Sequence, residues 1–414
     1  MWWAVVLLCF LFLLGRADAF AKSVAGSRAA RRKGQKKPKQ STTTSSVSTS
    51  SANRSGGGGF GFDKKYSKDI SHTPDPSSTT RVLVDWLTSH KAEGIGPSTS
   101  SPQGTEIGVD TNTQMRGLFT TKSFRKGEIL CKIPSGCVLG LQDPSKMGGD
   151  ASTLPHAARN LMQWYLSEEK WKPYTDTLPS KDNIDETPDF YSKEEFDLLE
   201  FPKAIELVQQ RLDEMDALLK EDDQLTREDL QYATWLVSSR SFRVRMHVEG
   251  EEDKSEIAKD ESGRDIAQRM ILSSNLKYIQ LLIPYIDMVN HRCDSNCELD
   301  LLDPNEDDGW FCLRATKPIL SNEEVTMTYG STATSLELLV NFGFVPSENK
   351  FDAMLLKRGG EGCIANLEGW TTTLEEDEAM LQELEGGTTE DDHLRKILSF
   401  RVRLKRAYGE IPKK

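Results

Sequence analysis

Several side chains that could do chemistry lie close together in the second half of this 414-residue chain. A carboxylate, an imidazole and two thiols occur in one short stretch, as Asp287, His291, Cys293 and Cys297. Such groups move protons or bind metal ions. However, a Cys-x3-Cys spacing with no second cysteine pair after Tyr329 lacks the fourth ligand and the spacing of a structural zinc site. We therefore predict that these residues serve a site without a metal ion.

This stretch is the first of three that follow one another along the chain. They are Ile286-Asp287-Met288-Val289-Asn290-His291-Arg292-Cys293-Asp294-Ser295-Asn296-Cys297, Glu323-Glu324-Val325-Thr326-Met327-Thr328-Tyr329-Gly330 and Leu338-Leu339-Val340-Asn341-Phe342-Gly343-Phe344. In this order and spacing they resemble the SET domain of protein methyltransferases, in which an Asn-His motif and a Tyr-Gly motif thread past each other in a pseudoknot. Upstream, Arg116-Gly117-Leu118-Phe119 and Lys126-Gly127-Glu128-Ile129 resemble the N-terminal strand pair of that family.

A second group of motifs resembles one branch of the family, the plastid Rubisco lysine methyltransferases, which carry a large helical insertion. These motifs are Trp171-Lys172-Pro173-Tyr174, Leu178-Pro179, and Trp235 followed by Ser238-Ser239-Arg240-Ser241-Phe242. The resemblance extends over about residues 107–346. It implies an α+β fold in which short strands form the SET domain with its pseudoknot and the helical insertion interrupts it.

The resemblance also implies S-adenosylmethionine as the cofactor and assigns residues to it. Tyr329 matches the catalytic tyrosine, whose hydroxyl lies beside the transferring methyl group and helps to orient the amine. Asn290 and His291 would hold the amino group and adenine of the cofactor, and Arg240 its carboxylate, a task suited to a guanidinium; Arg243 and Arg245 are neighbours that could exchange roles with Arg240. The other residues predicted to bind the cofactor are Arg116, Gly117, Leu118, Asp287, Phe342, Gly343 and Phe344.

Two positions depart from the family pattern. The family commonly has a Gly-x-Gly sequence at the first strand, but here Met115 precedes Arg116-Gly117. A missing glycine restricts how closely the backbone approaches a ligand. In the third stretch Phe342 stands where the plastid branch usually has tyrosine, so the ring can pack but a hydroxyl donor is lost.

The implied reaction is methyl transfer to the side-chain nitrogen of a protein lysine. A lysine nucleophile must be neutral, and its usual pKa near 10.4 requires a desolvated channel or a nearby acceptor. Histidine is an alternative substrate, because imidazole is also a neutral nitrogen nucleophile. A different class of function also stays open: a catalytically silent SET-fold module that binds a basic protein partner, favoured by the missing glycine, by Phe342 and by the short C-terminal segment.

Hydrophobic periodicity predicts the elements that must position these residues. A helix is expected near Thr79, and the first strands at residues 107–109, 117–121 and 128–133. Helices should follow at residues 157–168, 193–201, 204–219 and 227–238, and strands again at 281–286, 297–302, 310–314 and 324–329. Two polar helices are expected at 374–384 and 393–408. The predicted domains are a SET domain over residues 79–345, with the helical insertion at about 140–280, and a short helical segment over 346–414.

The N-terminal residues have the composition of targeting sequences. Residues 1–19 have an apolar core followed by Ala17-Asp18-Ala19, which is typical of a cleaved signal peptide. Residues 20–78 are expected to be disordered and begin as a basic Ser/Thr- and Gly-rich segment that resembles a transit peptide, and Phe20 would follow the cleavage site. The combination resembles the bipartite plastid presequence of algae with secondary plastids. The alternative is a secreted protein with a basic linker.

Charge is distributed unevenly. The chain has 52 basic and 64 acidic residues, and ten of the basic residues but only one acidic residue fall within residues 1–62. The remainder is therefore strongly acidic, which disfavours nucleic acid and favours a basic protein partner. The only long apolar run, Ala4 to Leu14, is about half the ~20 residues that span a bilayer. An acidic loop over Glu249 to Asp265 is predicted either to attract a basic substrate or simply to stay hydrated, and the sequence makes no prediction of oligomeric state.

Overall fold

Short strands and helices alternate in the computed structural model, which describes residues 72–96, 104–142, 153–184, 186–247, 276–302, 309–330, 332–358, 370–386, 391–409 and 411. The strands within these residues are β1 (His72–Pro74), β2 (Thr105–Asp110), β3 (Arg116–Thr120), β4 (Ile129–Pro134), β5 (Leu139–Gly140), β6 (Phe242–His247), β7 (Leu276–Leu282), β8 (Asn290–His291), β9 (Cys297–Leu302), β10 (Trp310–Ala315) and β11 (Glu324–Met327). The α-helices are α1 (Ser78–Ser89), α2 (Leu154–Leu161), α3 (Lys172–Thr175), α4 (Lys193–Asp197), α5 (Pro202–Glu221), α6 (Arg227–Arg240), α7 (Ser335–Phe342), α8 (Asp352–Arg358), α9 (Leu374–Gly386) and α10 (Asp392–Gly409).

The strands form three sheets, and one of them brings the predicted motifs together. Its order is β1-β2-β3-β11-β8. Strand β8 runs parallel to β11, so that Asn290 pairs with Thr326 and His291 with Met327. Strand β11 in turn pairs antiparallel with β3, with Val325 opposite Leu118. Three segments that are far apart in sequence therefore lie side by side. The other two sheets have the orders β4-β10-β9 and β5-β7-β6.

Local sequence explains where the helices next to this sheet begin and end. Helix α6 begins after Thr226, whose side chain accepts a hydrogen bond from the Asp229 amide, and it ends at Arg240. Helix α7 begins with a reciprocal capping box between Thr334 and Glu337. It ends at Gly343, whose φ of 75° is a left-handed conformation that glycine adopts without strain.

Two hydrophobic cores stabilise the described part of the chain. The larger core joins the sheets to helices α1, α2 and α6. The smaller core joins α5 and α7 to the C-terminal helices through Val208, Leu339, Leu356, Phe400 and Leu404. Burial of apolar surface is the main source of stability in both cores. The C-terminal helices are thus packed on α5 and α7 through apolar side chains.

Most predicted elements are confirmed, and three expectations need correction. Order begins before Thr79, because β1 lies within the segment expected to be disordered and pairs with β2; three residues are too few to show periodicity. In the region expected to be a helical insertion up to about 280, the described residues form helices up to Arg240 and then the antiparallel strands β6 and β7. Helix α8 was missed. The acidic loop and the two N-terminal targeting segments, up to residue 71, lie outside the described residues.

Candidate active site

Tyr329 is held at both ends by the segment that carries the Asn-His motif. Its backbone amide donates a hydrogen bond to Nδ1 of His291 over 3.1 Å, and its hydroxyl donates to the carbonyl oxygen of Val289 over 2.9 Å. Because Nδ1 accepts a hydrogen bond, the neutral imidazole carries its proton on Nε2. Burial lowers the pKa of His291, which favours this neutral form. The carbonyl oxygen of Val289 therefore fixes the tyrosine hydroxyl, and His291 fixes the backbone amide of Tyr329 without a need to titrate.

An aromatic cluster surrounds the Tyr329 ring. The ring centroid of Phe342 lies 4.5 Å from that of Tyr329, His291 lies at 5.2 Å, and Phe344 at 6.4 Å. Phe342 and Phe344 flank Gly343, so the end of helix α7 determines where both rings lie. The Phe342 ring thus packs in this cluster, as predicted for the position where the plastid branch usually has tyrosine. Tyr329 supplies the hydroxyl of the cluster.

Asn290 fastens three strands to one another. Its side-chain amide donates to the carbonyl oxygen of Arg116 over 3.1 Å and to Oε1 of Glu324 over 2.9 Å. A Cβ atom at Gly117 would lie 2.7 Å from the Asn290 Nδ2 atom, closer than real Cβ contacts come. Glycine is therefore needed at this position so that the Asn290 side chain can lie against strand β3.

Asp287 and Arg240 form an incompletely satisfied ion pair. The Asp287 side chain is fully buried, and its Oδ2 accepts a hydrogen bond from the Tyr174 hydroxyl over 2.8 Å and lies 3.5 Å from Nη1 of Arg240. Burial raises the pKa of Asp287, while Arg240, Tyr174 and Arg116 oppose that rise. Among the described residues, Oδ1 of Asp287 and Nε of Arg240 have no hydrogen-bond partner. Unsatisfied buried polar atoms are rare in folded proteins and mark positions where a ligand can complete the pairing.

Arg116 is anchored from three sides. Its Nε lies 2.9 Å from Oδ2 of Asp75, its Nη2 donates to Thr80 over 2.7 Å, and its Nη1 donates to the carbonyl oxygen of Thr177 over 3.2 Å. Asp75 immediately follows strand β1, and Thr80 lies in the first turn of α1. The N-terminal elements therefore fix the orientation of a cationic side chain at the edge of the site.

Two clefts meet at Tyr329. The first has a volume of about 580 Å³ and the second about 780 Å³, both in the range of small-molecule sites. The first is bordered by the Asn-His motif, by Arg116 and by Phe344. The second is bordered by more polar residues such as Ser241, Gln280 and Asn341. Both clefts are lined by Ser239, Arg240, Asp287, Tyr329 and Phe342. The arrangement can bring two reactants together at a shared wall.

Most residues predicted from sequence lie at this junction. Of the eleven predicted residues, eight line at least one cleft, namely Tyr329, Arg116, Arg240, Asp287, Asn290, His291, Phe342 and Phe344. Gly117 lies directly against Asn290, and Gly343 separates the two phenylalanines. Leu118 is different, because its side chain is fully buried in the larger core. It therefore supports the strand and contributes no side chain to a cleft.

The structure also distinguishes between the neighbouring arginines and adds residues that the sequence did not single out. Arg240 contacts Asp287 and lines both clefts, whereas Arg243 borders only the second. Met115, at the position of the missing glycine, lies at the rim of the first cleft with 56% of its surface exposed. Tyr174 and Asp75 were not predicted as site residues. The Trp-Lys-Pro-Tyr motif that contains Tyr174 was noted only as a mark of the family branch.

Comparison with known proteins identifies the family. The SET domain model matches residues 115–330, more than half of the chain, and the chain therefore belongs to the SET-domain family. The fold is similar to the crystal structure of the SET domain of LSMT bound to lysine and AdoHcy, with a TM-score of 0.53, 16% identity, and coverage of 82% of this chain and 91% of the other. It is also similar to Rubisco LSMT bound to AdoMet, and to Rubisco LSMT bound to sinefungin and monomethyllysine, each with a TM-score of 0.52, 16% identity and coverage of 81% and 90%. No curated protein matches the chain.

The part of the chain that the structure describes has neither a cluster of metal ligands nor a membrane-spanning helix. There, no group of three or more His, Cys, Asp or Glu side chains is arranged to hold a metal ion. No helix within the same residues is both long enough and apolar enough to cross a membrane.

Proposed function

We propose that this protein is an S-adenosylmethionine-dependent protein lysine N-methyltransferase. The observation that carries the proposal is the meeting of two clefts at Tyr329, Arg240 and Asp287. The family to which the chain belongs supports it, as do the ligands bound in the structures with a similar fold, which include AdoMet and lysine. A transferase needs two reactants whose reacting atoms face each other, and a single-ligand binding module does not.

The residues of the first cleft fit the cofactor. Asn290, His291 and Arg240 border it, and the unpartnered Nε of Arg240 and Oδ1 of Asp287 leave one donor and one acceptor for a zwitterionic ligand. S-adenosylmethionine carries such a carboxylate and ammonium pair and, when bound, supplies a methyl group activated by its sulfonium. Arg240 would hold the carboxylate by a charge-assisted hydrogen bond.

The residues shared by the clefts would orient the acceptor amine. In the reaction the lysine ammonium would first lose one proton to solvent; the lone pair of the neutral amine would then form the new N–C bond as the S–C bond breaks, which leaves a methylated ammonium and S-adenosylhomocysteine. The Tyr329 hydroxyl is fixed by the Val289 carbonyl oxygen, and the Phe342 and Phe344 rings pack around the Tyr329 ring. A polar group that is already fixed lowers the barrier because little reorganisation is needed when the charge moves.

The proposal is tested by labelling. The purified protein should bind S-adenosylmethionine in a calorimeter and transfer a labelled methyl group to a protein in a plastid extract. Mass spectrometry of the labelled protein should then place the methyl group on lysine. Placement on histidine would contradict the substrate assignment alone. Cofactor binding without transfer would support the silent binding module, and absence of binding would contradict the proposal as a whole.

For the location of the protein we propose a plastid reached through a bipartite presequence. The support is the signal-like composition of residues 1–19 and the acid-free basic segment that begins at Phe20. A fluorescent fusion of residues 1–78 in an alga with secondary plastids should accumulate in the plastid. A matched fusion with Phe20→Ala should be retained outside it, and secretion of the unaltered fusion would contradict the assignment.

A further inference from the structure

The short helix α3 places a tyrosine beneath the junction of the clefts. Tyr174 is fully buried in the larger core. The preceding Trp171 is wedged between Trp86 and Tyr165, with ring centroids 5.9 and 5.4 Å away, which fixes the start of this helix. The Tyr174 hydroxyl donates to Oδ2 of Asp287 over 2.8 Å. A residue of the insertion, 113 positions away in sequence, is therefore in direct contact with the Asn-His motif segment.

The same turn also contacts the arginine on the other side of the site. The Thr177 hydroxyl donates to the carbonyl oxygen of Tyr174 over 2.6 Å, and the Thr177 carbonyl oxygen accepts from Arg116. The turn from Tyr174 to Thr177 thus contacts both the anion and one of the cations at the edge of the first cleft. The core holds Tyr174, the first residue of this turn.

The charged and titratable groups that face the Asp287 carboxylate come from three elements. They are Tyr174 from α3, Arg240 from α6 and Arg116 from β3. Arg240 and Tyr174 both contact Oδ2 of Asp287, at 3.5 Å and 2.8 Å. The hydrogen bond from the Tyr174 hydroxyl is the shorter of the two and has ordinary hydrogen-bond length, so this hydroxyl holds Oδ2 more closely than the guanidinium does.

We propose that Tyr174 is a positioning residue of the methyltransferase site, whose hydroxyl holds the Asp287 carboxylate so that Arg240 presents its guanidinium to the cofactor. This inference rests on the proposed function. Tyr174 acts through Asp287 and touches no reactant itself. Without its hydroxyl the buried carboxylate loses a donor, and its protonated form, which does not hold Arg240, becomes populated at higher pH.

The test uses the full chain with Tyr174→Phe and measures the affinity for S-adenosylhomocysteine by calorimetry from pH 5 to pH 9. Wild type should lose affinity towards acid pH as Asp287 is protonated. The variant should bind within about threefold of wild type at pH 8. In the acid pH range where the affinity falls, which we call the acid limb of the profile, it should bind about tenfold more weakly than wild type. The reason is that the acid limb moves about one pH unit upward when a hydrogen bond to a charged group is lost.

The matched control is Tyr165→Phe. Tyr165 also packs on Trp171, but its hydroxyl donates to the carbonyl oxygen of Gly140 over 2.7 Å, away from Asp287. Its acid limb should coincide with that of wild type. A limb that does not move in Tyr174→Phe, or that moves equally in both variants, would overturn the proposal.

A second variant keeps the inference testable if Tyr174→Phe does not fold. Asp287→Asn cannot be protonated, so its affinity should show no acid limb, and persistence of the limb would equally overturn the proposal. Failure of the proposed function would give a different result, because the wild-type protein would then not bind S-adenosylhomocysteine at any pH.

Discussion

Two clusters of buried charged side chains in this protein differ in how completely they are paired. The cleft cluster consists of Tyr174, Arg240 and Asp287, and the tail cluster of Asp377, Arg401 and Lys405. In the tail cluster, Arg401 donates to both carboxylate oxygens of Asp377 over 3.1 Å, and Lys405 donates to Oδ2 over 2.5 Å. Asp377 also accepts from Thr372. In the cleft cluster one carboxylate oxygen and one guanidinium nitrogen have no partner among the described residues.

This difference separates stability from function. A fully paired buried cluster has no bonding capacity left for a ligand, so its charges can only join elements of the fold. The tail cluster does so, because Arg401 also donates to the carbonyl oxygen of Leu198 and thereby ties helix α10 to the insertion. An incompletely paired cluster at the wall of a cleft keeps bonding capacity for a second molecule. Mutations in the tail cluster should therefore lower the free energy of unfolding and leave methyl transfer unchanged. Mutations in the cleft cluster should lower methyl transfer and leave the fold intact.

The largest expected effect on stability is that of Asp377→Ala. It leaves Lys405 buried without its anion and Arg401 with Glu200, 3.5 Å away, as its remaining anion, and breaking a buried pair in this way costs about 3–5 kcal/mol. The free energy of unfolding from denaturant titration should fall by that amount, while methyl transfer per folded molecule stays unchanged. The control is Glu378→Ala, which removes a partly exposed pair with Arg406 and should cost less than about 1 kcal/mol. Equal losses in the two variants would contradict the assignment of the tail cluster to stability.

Asp287→Asn should have the opposite signature. Removing one partner of a hydrogen-bonded charge pair typically costs about 2–5 kcal/mol in binding, so we expect transfer measured as kcat/KM to fall at least about 30-fold. Structural integrity at 25 °C should be retained, because Arg240 borders both clefts and is not enclosed by the core. A variant with wild-type kcat/KM would show that the cleft cluster takes no part in the reaction.

The pH dependence of stability sharpens this second prediction. Burial raises the pKa of Asp287 above its unfolded value. A raised carboxyl pKa contributes stability that is fully present below the unfolded pKa and is lost as the pH rises through the folded pKa. Asp287→Asn avoids that loss, so its free energy of unfolding at pH 7 should equal or exceed that of wild type, and the two should converge in acid. A variant that is less stable at pH 7 would contradict this.

The smallest expected effect is that of Gly117→Ala. The added Cβ would lie 2.7 Å from Asn290 Nδ2, and overpacking of this kind costs about 1–3 kcal/mol. Cofactor affinity should fall by about tenfold because the Asn290 side chain must move. Gly136→Ala is the control, since nothing lies within 4 Å of its Cβ position, and it should bind the cofactor as wild type does. Comparable affinities in both variants would mean that the close approach is not needed.

Only part of the candidate site could be predicted from the sequence. Asp287, Asn290 and Tyr329 lie in short stretches whose residue types and order are specific to the family, and Arg240 lies in a motif that resembles one branch of it. Tyr174 and Asp75 could not be predicted, because their contacts join residues distant in sequence and neither lies in a motif with an assigned role. The pairing of β6 with β7 was also missed, although β6 alternates between apolar and polar residues from Phe242 to His247, because a long segment separates the two strands in sequence.

The central claim is that this site transfers a methyl group past Tyr329. The most direct test compares wild type with Tyr329→Phe in two measurements, the affinity for S-adenosylmethionine and the rate of methyl transfer to lysine. The variant keeps the aromatic packing against Phe342 but loses the hydroxyl bonded to Val289. We predict cofactor affinity within about threefold of wild type and a transfer rate lower by at least about 100-fold, the scale of a lost fixed donor in an active site. Equal transfer rates in the two proteins would contradict the account.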